Sequence, residues 1–186
     1  MNQPRSLEVQ RAEFAQRRFL AMPLAGTIAW LACAVAGAMM DSRNAAIFIF
    51  VATGMIAYLG IFISKLTGEN FTEKNRPNNE FDRLFFYGAA MAILVYSIAI
   101  PFFLKDHTSL PLTVGILTGL MWMPFSWIIQ HWIGLFHTLS RTALVLGTWY
   151  ALPAHRFVAI PLVIVAIYIV TIVILESRWR QAKADA

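Results

Sequence analysis

The sequence predicts an all-α fold: a polytopic membrane bundle of six transmembrane helices with both termini cytoplasmic. Three observations lead there. The 186 residues are 59% hydrophobic and only 13% charged, against about 25% charged in an ordinary soluble domain. Six apolar stretches approach the roughly 20 residues needed to cross the hydrocarbon of a bilayer. Lys and Arg also collect on alternate loops. The same composition excludes an ordinary soluble domain, a disordered chain and a nucleic-acid binder, although the net charge is +5.

Residues 1–18 read as a cytoplasmic tail. Ser6 can cap a short surface helix with a weak apolar face, in which Glu13 and Arg17 form an i,i+4 pair. Arg17-Arg18 then precedes an apolar run ending in small residues, a pattern shared with cleaved signals. Because further apolar segments follow, it reads as a retained first span. Spans are expected at 19–40, 45–66, 84–104 and 157–176. The stretch 110–152 is too long for one crossing and about right for two. It divides into 110–129 and 132–152, with the turn near Gln130-His131. The transmembrane domain is therefore 19–176, and 177–186 is a cytoplasmic C-terminal tail.

The charge distribution sets the orientation. The N-tail holds Arg5, Arg11, Arg17 and Arg18; the loop after span two holds Lys65, Lys74, Arg76 and Arg83; the C-tail holds Arg178, Arg180 and Lys183. The opposite side has only Arg43, Lys105 and Arg156. The positive-inside rule then requires an even number of crossings. The remaining loops are short, so the chain has no soluble domain to house a catalytic centre.

Small residues recur at helical spacing: Ala25, Ala29, Cys33 and Gly37; Thr53, Ala57, Gly60 and Ser64; Gly115 and Gly119. Lipid offers no hydrophobic drive between helices, so close backbone approach must hold the bundle. Such ridges serve packing within the chain or homo-oligomer formation. Pro124 lies inside span four and should kink it, freeing a carbonyl near Leu120.

Arg141 is the most informative residue. It falls about halfway along span five, where a charge costs at least about 2.5–3.5 kcal/mol on insertion scales. Gln130, Gly134, His137, Arg141 and Thr148 form one stripe. The facing stripe is Gly115, Gly119, Trp122 and Ser126. No Asp or Glu lies inside a span, although Glu176 at the end of span six is within conceivable reach. A buried guanidinium of this kind is an anion site or a clamp on backbone carbonyls. The expected ligand-binding set is Arg141, His137, Trp122, Ser126 and Thr148. Trp30, Trp149, Tyr150, Trp179, Phe85, Phe86 and Tyr87 read as an interfacial belt. Trp122, Trp127 and Trp132 either line a cavity beside Pro124 or fill the space it leaves. No zinc-binding, nucleophile-elbow or paired-carboxylate motif occurs, so no metal, cofactor or enzymatic activity is expected.

Ser64-Lys65-Leu66, Phe71 and Lys74-Asn75-Arg76-Pro77-Asn78-Asn79 resemble the first cytoplasmic loop of an uncharacterised family of small bacterial membrane proteins, catalogued as a domain of unknown function. Pro124-Phe125-Ser126-Trp127 in span four, and Pro23 and Trp30 in span one, are similar to elements of that family. The resemblance covers about residues 20–150. It implies a six-span bundle in a bacterial inner membrane, and neither an activity nor ligand residues.

Two functions are expected from this reading. One is binding or transport of a small anionic or amphiphilic molecule in a cavity between spans four and five. The other is a non-catalytic membrane partner or regulator that uses the polar loop 67–82. A pocket open beside Arg141 and His137 favours the first; a filled interior with Arg141 bonded to carbonyls favours the second.

Overall fold

The computed structural model describes residues 5–71 and 77–184. Lys74, Asn75 and Arg76, which carry part of the loop resemblance and of the charge count, lie outside the described residues. The described chain is helical, without a strand among the described residues. Helix α1 (Leu7–Ala15) starts at Ser6, whose hydroxyl accepts from the Val9 amide, as the sequence predicts. The expected Glu13–Arg17 pair does not form. Glu13 pairs with Arg5, and Arg17 reaches across to Asp82. A partner on another element outcompetes the weak i,i+4 pair because it also ties the tail down.

Helix α2 (Ala21–Met39) covers the first expected span. The second is broken into α3 (Ser42–Gly54) and α4 (Ile56–Leu66), bent by 46° at Met55. The third comprises α5 (Glu80–Leu94) and α6 (Tyr96–Lys105). The fourth splits into α7 (Leu110–Leu117) and α8 (Trp122–Ile128), followed by α9 (Ile133–Ala151) and α10 (Arg156–Ala184). Four of these units are long and apolar enough to cross a membrane: Ala21–Met39, Glu80–Lys105, His107–Ile128 and Pro153–Ala184. The bent α3–α4 pair is a fifth if it counts as one span. Helix α9 is as long as α2 but is not among them. His137, Ser140, Arg141 and its threonines dilute its apolar content.

Pro124 acts differently from the expected kink. It sits in the first turn of α8, and the break falls before it, at residues 118–121. The Leu120 carbonyl is not left open, because the Met123 amide donates to it at 3.1 Å. A proline near a helix start is cheap, since its missing N–H has no partner there in any case.

The small-residue ridges are used inside the chain. Helices α2 and α10 run antiparallel in strict register. Arg18 meets Glu176, Gly26 lies against the Tyr168 ring, and Gly37 lies against the Phe157 backbone. Eight and then eleven residues forward along α2 match eight and eleven back along α10. Gly60 accommodates Met22, and Gly115 sits between Val145 and Ile164. A homo-oligomer would have to use another surface, because these ridges are already covered.

The chain's turns fall at two ends. At one end α1, the segment after α4, the α8–α9 turn and the end of α10 meet. Asn79 Nδ2 donates to the Gln10 carbonyl (2.7 Å), the Gln130 amide oxygen accepts from Arg11 (3.0 Å), and Arg178 donates to the Ala15 carbonyl. At the other end Ser42 bonds His107 (2.8 Å), and Arg156 donates to the Trp149 carbonyl (3.1 Å). Trp30 was expected in an interfacial belt, yet it is fully buried in the middle of α2. Helices α5 and α6 stand at the periphery. Phe81 and Ala99 are their buried residues, while Phe86, Tyr87, Met91, Leu94 and Phe102 are exposed.

Candidate functional site

The polar centre of the bundle is built by α7, α9 and α10 around Arg141, which is 1% exposed. Nε donates to the Gly115 carbonyl (2.6 Å), Nη2 to Thr118 Oγ1 (2.9 Å) and Nη1 to the Tyr168 hydroxyl (3.3 Å). The guanidinium also stacks over the Trp30 ring at 5.4 Å. The Gly115–Gly119 pair makes this possible. Gly115 supplies the carbonyl, and Gly119 leaves the slot, since a Cβ there would lie 2.7 Å from Arg141 Cδ. Thus the Gly115–Gly119 pair, at the end of α7 and in the turn after it, receives a side chain of α9.

His137 lies one turn earlier. Thr171 Oγ1 donates to the Ile167 carbonyl (2.8 Å), so it must accept from His137 Nδ1 at 2.9 Å. That leaves Nε2 as an acceptor facing Arg141 Nη1 at 3.5 Å. The imidazole stacks on Trp122, centroid to centroid 4.4 Å. Glu176 does not approach Arg141; it pairs with Arg18 and Arg180.

The two stripes read from the sequence do face each other. Gly115 and Gly119 meet Arg141, Trp122 meets His137, and Ser126 meets Gly134. A Cβ on Gly134 would lie 2.3 Å from the Trp122 carbonyl, so α8 and α9 close tightly. The cavity expected between spans four and five is therefore filled. Ser126 donates to the His131 carbonyl and tightens the turn rather than facing open space. Thr148 is half-buried, two turns beyond Arg141. Of the expected set, Arg141, His137 and Trp122 form one cluster; Ser126 and Thr148 do not join it. The tryptophan group also divides: Trp122 is 8% exposed, but Trp127 and Trp132 are 64% and 57% exposed.

Open space lies on the other side of Trp122. A cavity of about 770 Å³ runs beneath the α1–α2 connector, between the ends of α4, α5 and α8. Its inner wall includes Ile56, Met121, Trp122, Phe125 and Tyr168; its rim includes Arg17, Arg18, Glu69, Asp82 and Trp179. Along α4, Ile56 and Thr67 mark the two levels, eleven residues apart, hence ~16 Å at the helical rise. Phe19 forms part of the wall. Its φ of +53° is rare for a bulky residue. That conformation seats its ring against Phe14 and Phe125, each at 5.0 Å.

Among the described residues, the rim arginines Arg17 and Arg18 are paired with carboxylates. Arg17 binds Asp82 through both nitrogens, and Arg18 binds Glu176 through Nε and Nη2 at 2.8 and 2.9 Å. The Glu176 carboxylate, chiefly by hydrogen bonding, holds the Arg18 pKa above its ordinary value. Glu69 Oε1 accepts from the amides of Leu20 and Ala21 at the start of α2, at 3.0 and 2.7 Å. Among the described residues, no three His, Cys, Asp or Glu side chains come together as a metal-ion site.

Sequence reasoning missed Tyr168 and Thr171, whose three-residue spacing is the polar signal in the aliphatic stretch of α10. It also missed the rim, because Arg17, Arg18, Glu69 and Asp82 come from three separate segments.

Long apolar helices around a buried polar cluster define a helical protein compatible with a membrane setting. Residues 8–178 match a family of unknown function, DUF7010, and the chain belongs to that family. No curated protein and no solved structure matches it.

Proposed function

We propose that the chain is a six-span protein of a bacterial inner membrane, with both termini cytoplasmic, that binds a small amphiphile in the cavity beneath the α1–α2 connector. The observation that carries this is the cavity's gradient from a charged rim to an aromatic and aliphatic interior. Its volume of about 770 Å³ suits one small molecule, since such sites span ~300–1,000 Å³. The anionic ligand suggested by Arg141 loses its support, because protein groups engage that guanidinium on all sides. Binding is proposed rather than catalysis.

The orientation rests on the basic count of the loops and on the way the N-tail, the segment after α4, the 130–132 turn and the end of α10 share one end. The polar content of α9 is compatible with a span because His137 and Arg141 face protein, not lipid. The bacterial inner membrane is supported by the loop resemblance. Reporter fusions should place residue 131 on the cytoplasmic side; a periplasmic signal there would overturn the six-span arrangement.

The filled space around Arg141 favours the partner reading at that position. Against it, Glu69, Asn79 and Glu80 of loop 67–82 are engaged within the chain. Glu69 caps α2, and Asn79 and the Glu80 amide bond Gln10. Trp122 offers the test of binding. In nanodiscs, a monoacyl amphiphile brominated in its chain should quench tryptophan fluorescence saturably, and Trp122→Phe should remove that saturable component. Quenching that rises linearly and is identical in the variant would show partition into lipid alone and sink the proposal.

A further inference from the structure

Among the described residues, each arginine at the rim is engaged by a carboxylate. Three arginines line it, Arg17, Arg18 and Arg83, with three carboxylates, Glu69, Glu80 and Asp82. Arg17 is held by Asp82, Arg18 by Glu176, and Arg83 by Glu80 at 3.0 Å. The first two pairs are two-pronged, the strongest geometry available to a guanidinium. An anionic head seated here must displace a carboxylate from a preformed pair. A cationic head must do the reverse. Either exchange gives up one charge-assisted contact to gain another, and strips water from the ligand's charge as well. A head of hydroxyl or ester groups meets no such exchange. It needs hydrogen bonds only, which the exposed Asn78 amide offers at the same rim. Below the rim, Ile56, Met121 and Phe125 can cover one chain, and the cavity is of single-ligand size.

Resting on the binding reading above, we infer that this cavity selects single-chain amphiphiles whose head carries no net charge, of the monoacylglycerol or fatty-alcohol type. The paired rim excludes fatty acids and alkylammonium compounds of the same chain length.

The experiment compares three chain-brominated probes of one length in nanodiscs: a monoacylglycerol, a fatty acid at a pH where its carboxyl is ionised, and an alkyltrimethylammonium. The readout is the Trp122-dependent quenching. The monoacylglycerol should half-saturate at about tenfold lower concentration than either ion. The variant Asp82→Asn leaves the Arg17 guanidinium without its carboxylate. It should bring fatty-acid binding up about tenfold, so that the fatty acid half-saturates at a concentration close to that of the monoacylglycerol. The double variant Arg17→Gln/Asp82→Asn should restore the preference for the neutral probe, and a single cooperative melting transition would show that it still folds. Equal binding of all three probes, tightest binding of an ion, or an Asp82→Asn variant with unaltered fatty-acid affinity would each overturn the selection while leaving the cavity reading intact. Absence of saturable quenching by any probe would instead remove the cavity reading itself.

Discussion

Arg141→Met will make α9 easier to insert into a membrane and the folded protein less stable. The two effects have opposite signs because they have different reference states. Insertion of an isolated helix carries a cost of about 2.5–3.5 kcal/mol for a central arginine, which methionine removes. In the folded chain the same guanidinium satisfies the Gly115 carbonyl and bonds Thr118 and Tyr168 across three helices. Its loss leaves a buried carbonyl without that donor and opens the slot at Gly119. An unsatisfied buried group costs about 1–3 kcal/mol, before any cavity term. With ~2–4 °C per kcal/mol for a chain of this size, a melting temperature lower by roughly 5–10 °C is expected in detergent. Arg141→Lys should recover only part of it, because one ammonium cannot reach a carbonyl and a hydroxyl at α7 and a phenol on α10 with the planar fork of a guanidinium. An insertion gain with an unchanged melting temperature would mean that the guanidinium holds nothing together.

Gly37→Ala should be the most damaging single-methyl change among the glycines, with Gly134→Ala close to it. A Cβ on Gly37 would lie 2.2 Å from the Phe157 carbonyl oxygen and 2.6 Å from its carbon. Backbone cannot rotate away as a side chain can, so α2 must lift off α10 along a shared interface. Overpacking of this kind costs about 1–3 kcal/mol or more, which exceeds the ~1 kcal/mol that alanine gains over glycine in a helix. Gly147→Ala is the matched comparison. It lies in α9 with nothing within 4 Å of the added carbon, so it should be neutral or slightly stabilising. Melting curves of the three variants decide the matter. If Gly37→Ala and Gly147→Ala melt alike, the α2–α10 contact is not as close as the register requires.

Several parts of the molecule were legible in the chain because they depend on local pattern. Ser6 as a cap, helices covering the apolar stretches and the turn at residues 129–132 follow from capping, apolar run length and the length of stretch 110–152. The facing of the 115–126 and 130–148 stripes follows from helical periodicity once two adjacent helices are antiparallel. What that pattern could not reveal was which side of Trp122 is open. Arg141 reads identically from the sequence whether its partner is a ligand or a carbonyl, because backbone acceptors carry no residue signature. The Glu13–Arg17 pair failed for a related reason: a nearby partner in sequence was displaced by Asp82, 65 residues away.

By itself, the sequence determined a chain of apolar helices with short connections, an interior arginine, and ridges that let helices approach closely. These are properties of composition and spacing, which short-range physics reads directly. Only the tertiary structure decided that the ridges are consumed within the chain, that Arg141 is satisfied by α7 and α10, and that the cavity lies under Phe19 instead. Those outcomes depend on contacts between residues many turns apart, and the free energy of such a contact exists only once both surfaces have met.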